Sequence, residues 1–440
     1  MKTRLLSATY DCLATHEQVF LCKHITMKYI CFSLLVVGLV FSGSSYAQEK
    51  KEPIVILISL DGFRYDYVER FQPENLTKFI ADGVAAESLM PSFPSKTFPN
   101  HYTIATGLKP ENHGLVDNSF YDSKKNLTYG IDKKEIVQDG TWYGGTPLWV
   151  LAEQNSMVSA SYFFVGSEAD VQGIRPRYYY DYDGGVSNLT RVTQVFKWLD
   201  LPEAERPRLI TMYFSDMDDV AHTYGPSRDD MLQPKLEKLD QELGALFEGL
   251  KSYELNINVI VVSDHGMTDV TVDHLINIDE LTADIPARVV NDGALAHVYL
   301  TDPIDKDKVI NTLEKRGLNV HITDVDDKEN YQDLKYKDRI GDILIVSDMD
   351  YYMATTSSIT RIKNRMDAMG LKSMGEHGYS PAYKAMHGIF YANGPEFKSG
   401  LKIETFQNIH IYPMITEILG LPTPKDIDGE LDVLAPILKN

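Results

Sequence analysis

The feature that most constrains this chain is a series of continuous apolar runs separated by amphipathic segments. Runs of this kind, bounded by turn residues, are typical of strands buried on both faces of a sheet. The clearest intervening helix is predicted from Lys235 to Leu250, where leucines recur at helical spacing. The alternation predicts an α/β fold with a mostly parallel central sheet and helices on both faces. The runs predicted as strands are 53–60, 158–166, 209–216, 256–263 and 389–393.

Acidic and histidine side chains follow several of these runs, where each strand is expected to end. In a parallel sheet the carboxyl ends of the strands share the edge at which ligands bind. A charged side chain there is costly to bury unless something binds it. Carboxylate and imidazole ligands without a thiolate are typical of catalytic zinc or a similar divalent ion, and six of them suit two ions about 4 Å apart. The six side chains, with a threonine among them, are Asp61, Thr97, Asp218, His222, Asp264, His265 and His377.

The pattern changes between about residues 275 and 375, where short strand-like runs alternate with turns. We interpret this region as an inserted, smaller α+β subdomain within one catalytic domain spanning residues 48–440. The insertion is expected to close over the edge of the central sheet and to return the chain at His377. A last helix is predicted over Tyr412–Leu419, just before Gly420.

The first 47 residues resemble a targeting segment rather than part of the fold. From Met27, a lysine is followed by the apolar run Ile30–Phe41 and by a small-x-small pattern ending at Ala47, as in secretory signal peptides. Residues 1–26 would then be an upstream extension, with Met27 as the initiator. The alternative is a buried amino-terminal helix. The apolar run is too short to span a bilayer comfortably, so no stable membrane span is expected.

The chain is acidic, with 43 basic and 63 acidic side chains and a formal net charge of −20. Such a charge repels nucleic acid polymers and anionic membrane surfaces, so a small-molecule partner is expected. Bound metal ions would supply the local positive charge that an anionic substrate needs. All three cysteines, Cys12, Cys22 and Cys31, precede the predicted cleavage site. Export across the inner membrane without disulfides favours a bacterial periplasm as the destination.

Six short motifs occur in a fixed order along the chain, and each is weakly specific by itself. They are Ser59-Leu-Asp-Gly-Phe-Arg64, Pro94-Ser-Lys-Thr-Phe-Pro-Asn-His101, His113-Gly-Leu-Val-Asp-Asn118, Asp218-x-x-x-His222, Ser263-Asp-His-Gly-Met267 and Gly375-Glu-His-Gly-Tyr379. Together they closely resemble the nucleotide pyrophosphatase/phosphodiesterase family of the alkaline phosphatase superfamily. The resemblance covers roughly residues 53–422 and implies an alkaline phosphatase-like fold.

The resemblance also implies two zinc ions per chain. The ligands of one zinc would be Asp218, His222 and His377. The ligands of the other would be Asp61, Asp264, His265 and the Thr97 oxygen. Because Asp216 and Asp219 lie beside Asp218, a solvated acidic turn is the alternative for that segment. The four-residue spacing between Asp218 and His222 favours the ligand interpretation.

Thr97 would be the nucleophile, forming a phospho-threonine ester that is then hydrolysed. Coordination of a metal favours the alkoxide, which a free threonine hydroxyl rarely forms. Pro99 predicts a helix starting near Thr97, and the dipole of that helix would also favour negative charge. Asn118 would donate a hydrogen bond to a non-bridging phosphate oxygen in the transition state. His101 and His113 are expected to be structural.

The resemblance favours diester substrates, and in particular nucleotides that yield nucleoside 5′-monophosphates. Phe98 could stack on a nucleobase, with Tyr182 and Tyr213 forming the other wall of the pocket. A glycerophosphodiester or lysophospholipid phosphodiesterase and an alkaline phosphatase-type monoesterase remain alternatives. A sulfatase is disfavoured, because Ser92-Phe-Pro-Ser-Lys96 does not match the motif that is converted to formylglycine. A non-enzymatic binding protein would lack one or more ligands, and none is missing from the predicted set.

Overall fold

An eight-stranded sheet forms the centre of the fold. The computed structural model describes residues 51–439, so the predicted signal peptide and upstream extension lie outside the described residues. The central strand Pro53–Leu60 is buried along nearly its whole length, as its continuous apolar sequence predicts. The strands, in order across the sheet, are Leu401–Ile403, Val84–Ala86, Phe390–Asn393, Asn256–Val262, Pro53–Leu60, Leu209–Phe214, Ser159–Tyr162 and Tyr178–Tyr180.

Strand direction determines which ends of the strands meet. Within this sheet only Phe390–Asn393 runs antiparallel to its neighbours, and the other pairs are parallel. Pro53–Leu60 pairs with Leu209–Phe214 on one side and with Asn256–Val262 on the other. The segments that follow these three strands therefore emerge side by side at one edge, as expected for the ligand-binding edge of a parallel sheet.

Helices cover both faces of the sheet, because alternate residues of the central strand contribute to different cores. Val55 and Leu57 pack in one core with residues of the helices Thr97–Thr106 and Ile411–Leu419. Ile56 packs in the other core with residues of Asn188–Leu199 and Asp229–Leu250. The other α-helices are Tyr67–Phe71, Glu74–Ala81, Pro110–His113, Lys134–Val137, Leu148–Gln154, Asp216–Tyr224, Ile278–Leu281, Lys306–Arg316, Lys337–Ile340 and Thr356–Met369.

A second, four-stranded antiparallel sheet lies in the region predicted as an insertion. Its strands, in order, are Ala287–Asn291, Leu295–Leu300, Ile343–Ser347 and Val320–Asp324. We call residues 287–347, which occur in the chain between strands of the central sheet, the insert. One face of the insert sheet packs on the helix Lys306–Arg316, and the other shares a core with the central sheet.

Short strand pairs connect the remaining segments. Thr268–Thr271 pairs antiparallel with Ser373–Glu376, and His377 directly follows this pair. The other pairs are Leu275–Asn277 with Tyr352–Ala354, Leu89–Met90 with Phe406–Gln407, and Ser119–Asp122 with Leu127–Gly130. No helix within residues 51–439 is long and apolar enough to cross a bilayer.

The boundaries differ most from the sequence predictions at two elements, and by one or two residues at several others. The long helix begins at Asp229 rather than Lys235 and contains Pro234; a proline near the start of a helix removes a hydrogen bond only from its first turns. The strand predicted over 158–166 ends at Tyr162. Phe163 has a φ of 69°, a left-handed conformation that no strand can continue through.

Candidate active site

Three carboxylates meet where the three central strands end. The backbone N–H of Asp61 donates to Phe214 O at 2.8 Å, and that of Asp218 donates to Asp61 O at 3.1 Å. Gly62 N donates to Asp264 Oδ1 at 3.2 Å. A Cβ at Gly62 would lie 2.8 Å from Asp218 Oδ1, so only glycine allows the segments that follow Pro53–Leu60 and Leu209–Phe214 to approach so closely.

The predicted ligands are brought together in two overlapping groups. Asp61, Asp264 and His265 form one group, and Asp218, His265 and His377 form the other; the ligand atoms within each group lie within 4.8 Å of one another. His265 belongs to both groups, and its ring stacks on that of His377 with 3.5 Å between centroids. His222 lies beside the second group, with its Nε2 3.4 Å from Asp218 Oδ1.

The carboxylates at this site need a counter-charge. Within the described part of the chain, Asp61 Oδ1, Asp218 Oδ1 and Asp264 Oδ2 are buried and accept no hydrogen bond. Burial, with the neighbouring Asp264 and Asp218 carboxylates, raises the pKa of Asp61 well above its usual value. Burial and Asp264 raise the pKa of Asp218 likewise. Unpaired buried carboxylates are costly, and bound cations are the usual compensation. The donor set therefore fits divalent metal ions.

The three histidines of the site share one hydrogen-bond pattern at Nδ1. Each Nδ1 faces a backbone carbonyl oxygen at 2.8 Å: His222 faces Gly375, His265 faces Gly266 and His377 faces Ser95. Donation from Nδ1–H leaves the Nε2 lone pair available, as in most metal-bound histidines. Burial lowers the pKa of His222 to about 4 and also holds the pKa values of His265 and His377 below their usual range. The imidazoles are thus neutral at pH 7, as metal ligands must be.

Thr97 is the first residue of the helix Thr97–Thr106, which confirms the helix start predicted from Pro99. Its Oγ1 lies 3.1 Å from His265 Nε2, among the candidate ligands. The helix N-terminus adds a partial positive charge at this point. His101 connects the helix to the site, with its Nδ1 2.8 Å from Thr97 O and 3.2 Å from Asp264 Oδ2.

Asn118 lies beside the start of the helix Thr97–Thr106 although it belongs to a separate loop. Its side-chain Oδ1 accepts a hydrogen bond from Phe98 N at 2.9 Å. Because the carbonyl oxygen is occupied in this way, the amide NH₂ group remains as the donor for a ligand. Phe98 itself is half-buried and packs at the margin of the core.

The two tyrosines predicted as a substrate wall are close to each other but differ in exposure. Tyr182 is half-exposed, at 49%, and its ring lies 6.0 Å from that of Tyr213. Tyr213 is buried, and its hydroxyl donates to Asp61 Oδ2 at 2.5 Å. Tyr213 therefore holds a candidate metal ligand, and of the pair only Tyr182 offers an open ring face.

Two residues of the site were not predicted from the sequence. Ser95 O orients His377 from 282 positions away, and no local pattern indicates such a contact. Glu376 Oε2 lies 3.9 Å from His222 Nδ1, and burial raises the pKa of Glu376 to about 8. The position of Glu376 directly before His377, within the Gly-Glu-His-Gly motif, could have indicated a second ionisable group at the site.

Comparisons with known proteins agree with this geometry. Residues 55–380 match the model of the type I phosphodiesterase/nucleotide pyrophosphatase family. A venom phosphodiesterase of Crotalus durissus collilineatus is 33% identical over 400 residues, which are 88% of this chain and 46% of the venom protein. Ectonucleotide pyrophosphatase/phosphodiesterase family member 1 of Homo sapiens is 32% identical over 88% of this chain and 42% of its own length. This chain thus spans less than half the length of these relatives.

Structural comparison leads to the same group of proteins. Murine ectonucleotide pyrophosphatase/phosphodiesterase 5 superposes with a TM-score of 0.79 at 27% identity, over 88% of this chain and all of the murine one. The same murine protein has been solved as an inactive threonine-to-alanine variant in complex with AMP. The sheet, the clustered carboxylates and histidines, and the threonine at a helix start define an alkaline phosphatase-type α/β protein. Within that class, this chain belongs to the type I phosphodiesterase/nucleotide pyrophosphatase family.

Proposed function

We propose that this chain is a two-zinc phosphodiesterase and pyrophosphatase that cleaves nucleotide phosphodiester or pyrophosphate bonds and releases nucleoside 5′-monophosphates. The observation that carries this proposal is the position of the Thr97 hydroxyl, at a helix N-terminus and 3.1 Å from His265 Nε2. Within residues 51–439, the carboxylates of the candidate ligands Asp61, Asp218 and Asp264 each have one buried oxygen that accepts no hydrogen bond. A hydroxyl in this position is suited to attack the phosphorus of an anionic phosphate group, which favours an enzyme over a protein that only binds phosphate.

The ligand assignment proposed for the metals follows the family pattern. Asp218, His222 and His377 would hold one zinc; the ligands of the second would be Asp61, Asp264, His265 and Thr97 Oγ1. When bound, the ions would neutralise the phosphate charge and favour the Thr97 alkoxide. His265 belongs to both candidate groups, and the family pattern assigns it to the second zinc.

Thr97 would act as the nucleophile of a two-step reaction. Its Oγ1 forms a bond to phosphorus while the bond to the leaving alcohol or phosphate breaks, which gives a phospho-threonine ester. Water then cleaves that ester, releases the 5′-monophosphate and regenerates the hydroxyl. The amide of Asn118 would donate to a non-bridging oxygen and stabilise the charge that develops there. The hydrogen bond from Phe98 N to Asn118 Oδ1 holds the amide in this orientation.

A nucleobase would bind beside Phe98. The half-buried ring of Phe98 follows the nucleophile directly in the chain, and the half-exposed ring of Tyr182 offers a second surface near the site. Stacking on an aromatic ring tolerates any base and contributes about 1–3 kcal/mol. The AMP bound by the related murine protein supports a nucleotide rather than a lipid headgroup as the substrate. Tyr213 would contribute by holding Asp61 rather than by contacting the base.

The proposed substrate class can be tested with a turnover panel. Purified protein would be assayed against ATP, a dinucleotide, a nucleotide sugar, glycerophosphocholine and a phosphate monoester. We expect turnover of the first three with a nucleoside 5′-monophosphate as the common product, detected by chromatography. Preference for glycerophosphocholine would assign the chain to lipid headgroup cleavage instead, and preference for the monoester would make it a phosphatase.

We further propose that the enzyme acts in the periplasm. The support is the signal-peptide pattern that begins at Met27 and the absence of cysteine after residue 47. Cell fractionation with an antibody against the catalytic domain would test this, because full retention in the cytoplasm would contradict it.

A further inference from the structure

We infer that the insert positions Asn118, so that a segment outside the central sheet determines how well the enzyme stabilises its transition state. The inference rests on the role proposed above for Asn118 in phosphate binding. Asn118 ends a short loop, residues 114–118, between the helix Pro110–His113 and the strand Ser119–Asp122. Three side chains of the insert form hydrogen bonds with this loop.

The first two contacts hold the loop backbone. Arg339 donates from Nη1 to Gly114 O at 2.7 Å, and Tyr331 donates its hydroxyl to Val116 O at 2.7 Å. Arg339 and Tyr331 are both buried, so these bonds are shielded from water. A Cβ at Gly114 would lie 2.6 Å from Arg339 Nη1, and the φ of Gly114 is +91°. Both observations require glycine for this close approach.

The third contact reaches Asn118 through the side chain of Asp117. His297, fully buried in the strand Leu295–Leu300, has its Nε2 3.2 Å from Asp117 Oδ2 and its Nδ1 2.9 Å from Ile340 O. Both ring nitrogens of His297 are therefore engaged, one by Asp117 and the other by Ile340. The other oxygen of Asp117, Oδ1, accepts the backbone N–H of Asn118 at 2.8 Å. The insert is therefore linked to the Asn118 backbone through one carboxylate.

The insert is rigid enough to act as a support. Its sheet is packed on both faces: Leu295 and Leu344 lie in the core shared with the central sheet, while Val298 and Ile345 pack with the helix Lys306–Arg316. Close-packed side chains have little room to shift, so the insert can hold the residues packed against it in fixed positions. The amino-terminal end of the loop has a separate attachment, because His113 Nε2 lies 3.2 Å from Pro99 O in the nucleophile helix. The end that carries Asn118 depends on the insert and on Phe98.

The test is a double-mutant cycle on kcat and KM with methyl p-nitrophenyl phosphate, a small diester. Asn118→Ala should lower kcat by about 10²–10³, as the loss of one transition-state donor does. Tyr331→Phe removes only the hydroxyl that holds Val116 and should lower kcat by about threefold to tenfold, the range of one hydrogen bond, with KM little changed. His297→Leu should lower kcat further, and His297→Gln, which keeps a donor for Asp117, should recover part of that loss.

The decisive comparison is the effect of Tyr331→Phe within the Asn118→Ala background, where we expect no additional loss of kcat. Tyr412→Phe is the matched control, because its buried hydroxyl donates to Thr146 O at 2.9 Å, away from the loop, and kcat should be unchanged in both backgrounds. Equal losses from Tyr331→Phe in both backgrounds would overturn the positioning role while leaving the proposed function intact. An Asn118→Ala enzyme with the parent kcat would instead remove the role of Asn118, and the inference with it.

Discussion

At the scale of single residues, the site is built from groups that are unfavourable unless a ligand or a neighbour compensates them. Asp61 is buried and Asp218 is partly buried, and the pKa of each is raised; Thr97 is an ordinary hydroxyl at the start of a helix. Two substitutions separate the contribution of the nucleophile from that of substrate binding.

Thr97→Ala should lower kcat by at least about 10³, because the covalent route is lost. Thr97→Ser keeps a hydroxyl and should retain measurable turnover. Rapid acid quenching followed by mass spectrometry should find phosphate on residue 97 in the parent enzyme and none in Thr97→Ala. If Thr97→Ala hydrolyses diesters at the parent rate, another group is the nucleophile.

Phe98→Ala should lower kcat/KM about tenfold to a hundredfold for the p-nitrophenyl ester of thymidine 5′-monophosphate, because base stacking is lost. Methyl p-nitrophenyl phosphate has the same leaving group and no nucleoside, so its kcat/KM should be nearly unchanged. Equal losses on both substrates would mean that the Phe98 side chain supports the start of the helix that carries Thr97. The backbone N–H of Phe98 already links this helix to Asn118.

At the scale of elements, the helix Thr97–Thr106 positions the proposed nucleophile, and side chains of the adjoining segments hold that helix. His113 is fully buried and lies 3.1 Å from Thr103 Oγ1 and 3.2 Å from Pro99 O. Burial lowers the pKa of His113 to about 3, from an ordinary value of 6.5. The connection of this helix to the neighbouring loop is therefore sensitive to acid.

Between pH 6.5 and about 3, the unfolded chain binds a proton at His113 that the folded chain does not. The contribution of this group is fully present above pH 6.5 and is lost as the pH falls through that window. At pH 4.5 we expect a loss of about 2–3 kcal/mol from this histidine. Urea unfolding at pH 7.5 and 4.5 should show a smaller decrease for His113→Gln than for the parent. His321→Gln is the control, since the His321 side chain is 74% exposed; a parent-like decrease in His113→Gln would contradict the argument.

At the scale of the whole molecule, the metals would stabilise the native fold as well as supply the chemistry of the site. Asp61, Asp218 and Asp264 follow three strands of the central sheet, and their mutual repulsion acts where those strands end. A ligand that binds the native state alone stabilises it by mass action.

The purified enzyme should contain about two zinc equivalents per chain by mass spectrometry, as expected for a two-metal site. Treatment with a chelator should abolish turnover and lower Tm, and added zinc should restore both. Asp264→Ala should reduce both metal content and activity, because the remaining ligands lose their geometry. Full activity and an unchanged Tm in chelator, with no bound divalent ion, would exclude the metal assignment.

The α/β class, the central strands and the candidate ligands at their ends were predictable because they depend on local patterns. The run Pro53–Leu60 is apolar throughout since both of its faces are covered, and Asp61 follows it in the chain. The early start of the helix Asp229–Leu250 was missed because Pro234 reads as a helix start. The end of the strand at Tyr162 depends on the left-handed conformation of Phe163, which its sequence does not indicate.

By itself, the sequence determined which residues are candidates for binding metal and for attacking phosphorus, because those capacities belong to side-chain chemistry and to motif spacing. Only the tertiary structure decided how these residues are oriented. The backbone oxygen of Ser95 orients His377. The hydroxyl of Tyr213 donates to Asp61, so Tyr213 does not form the open substrate wall that was expected. His297 of the insert contacts Asp117 in the loop of Asn118. Each of these contacts joins residues far apart in the chain, and such pairs come together only when strand order and packing place their elements side by side.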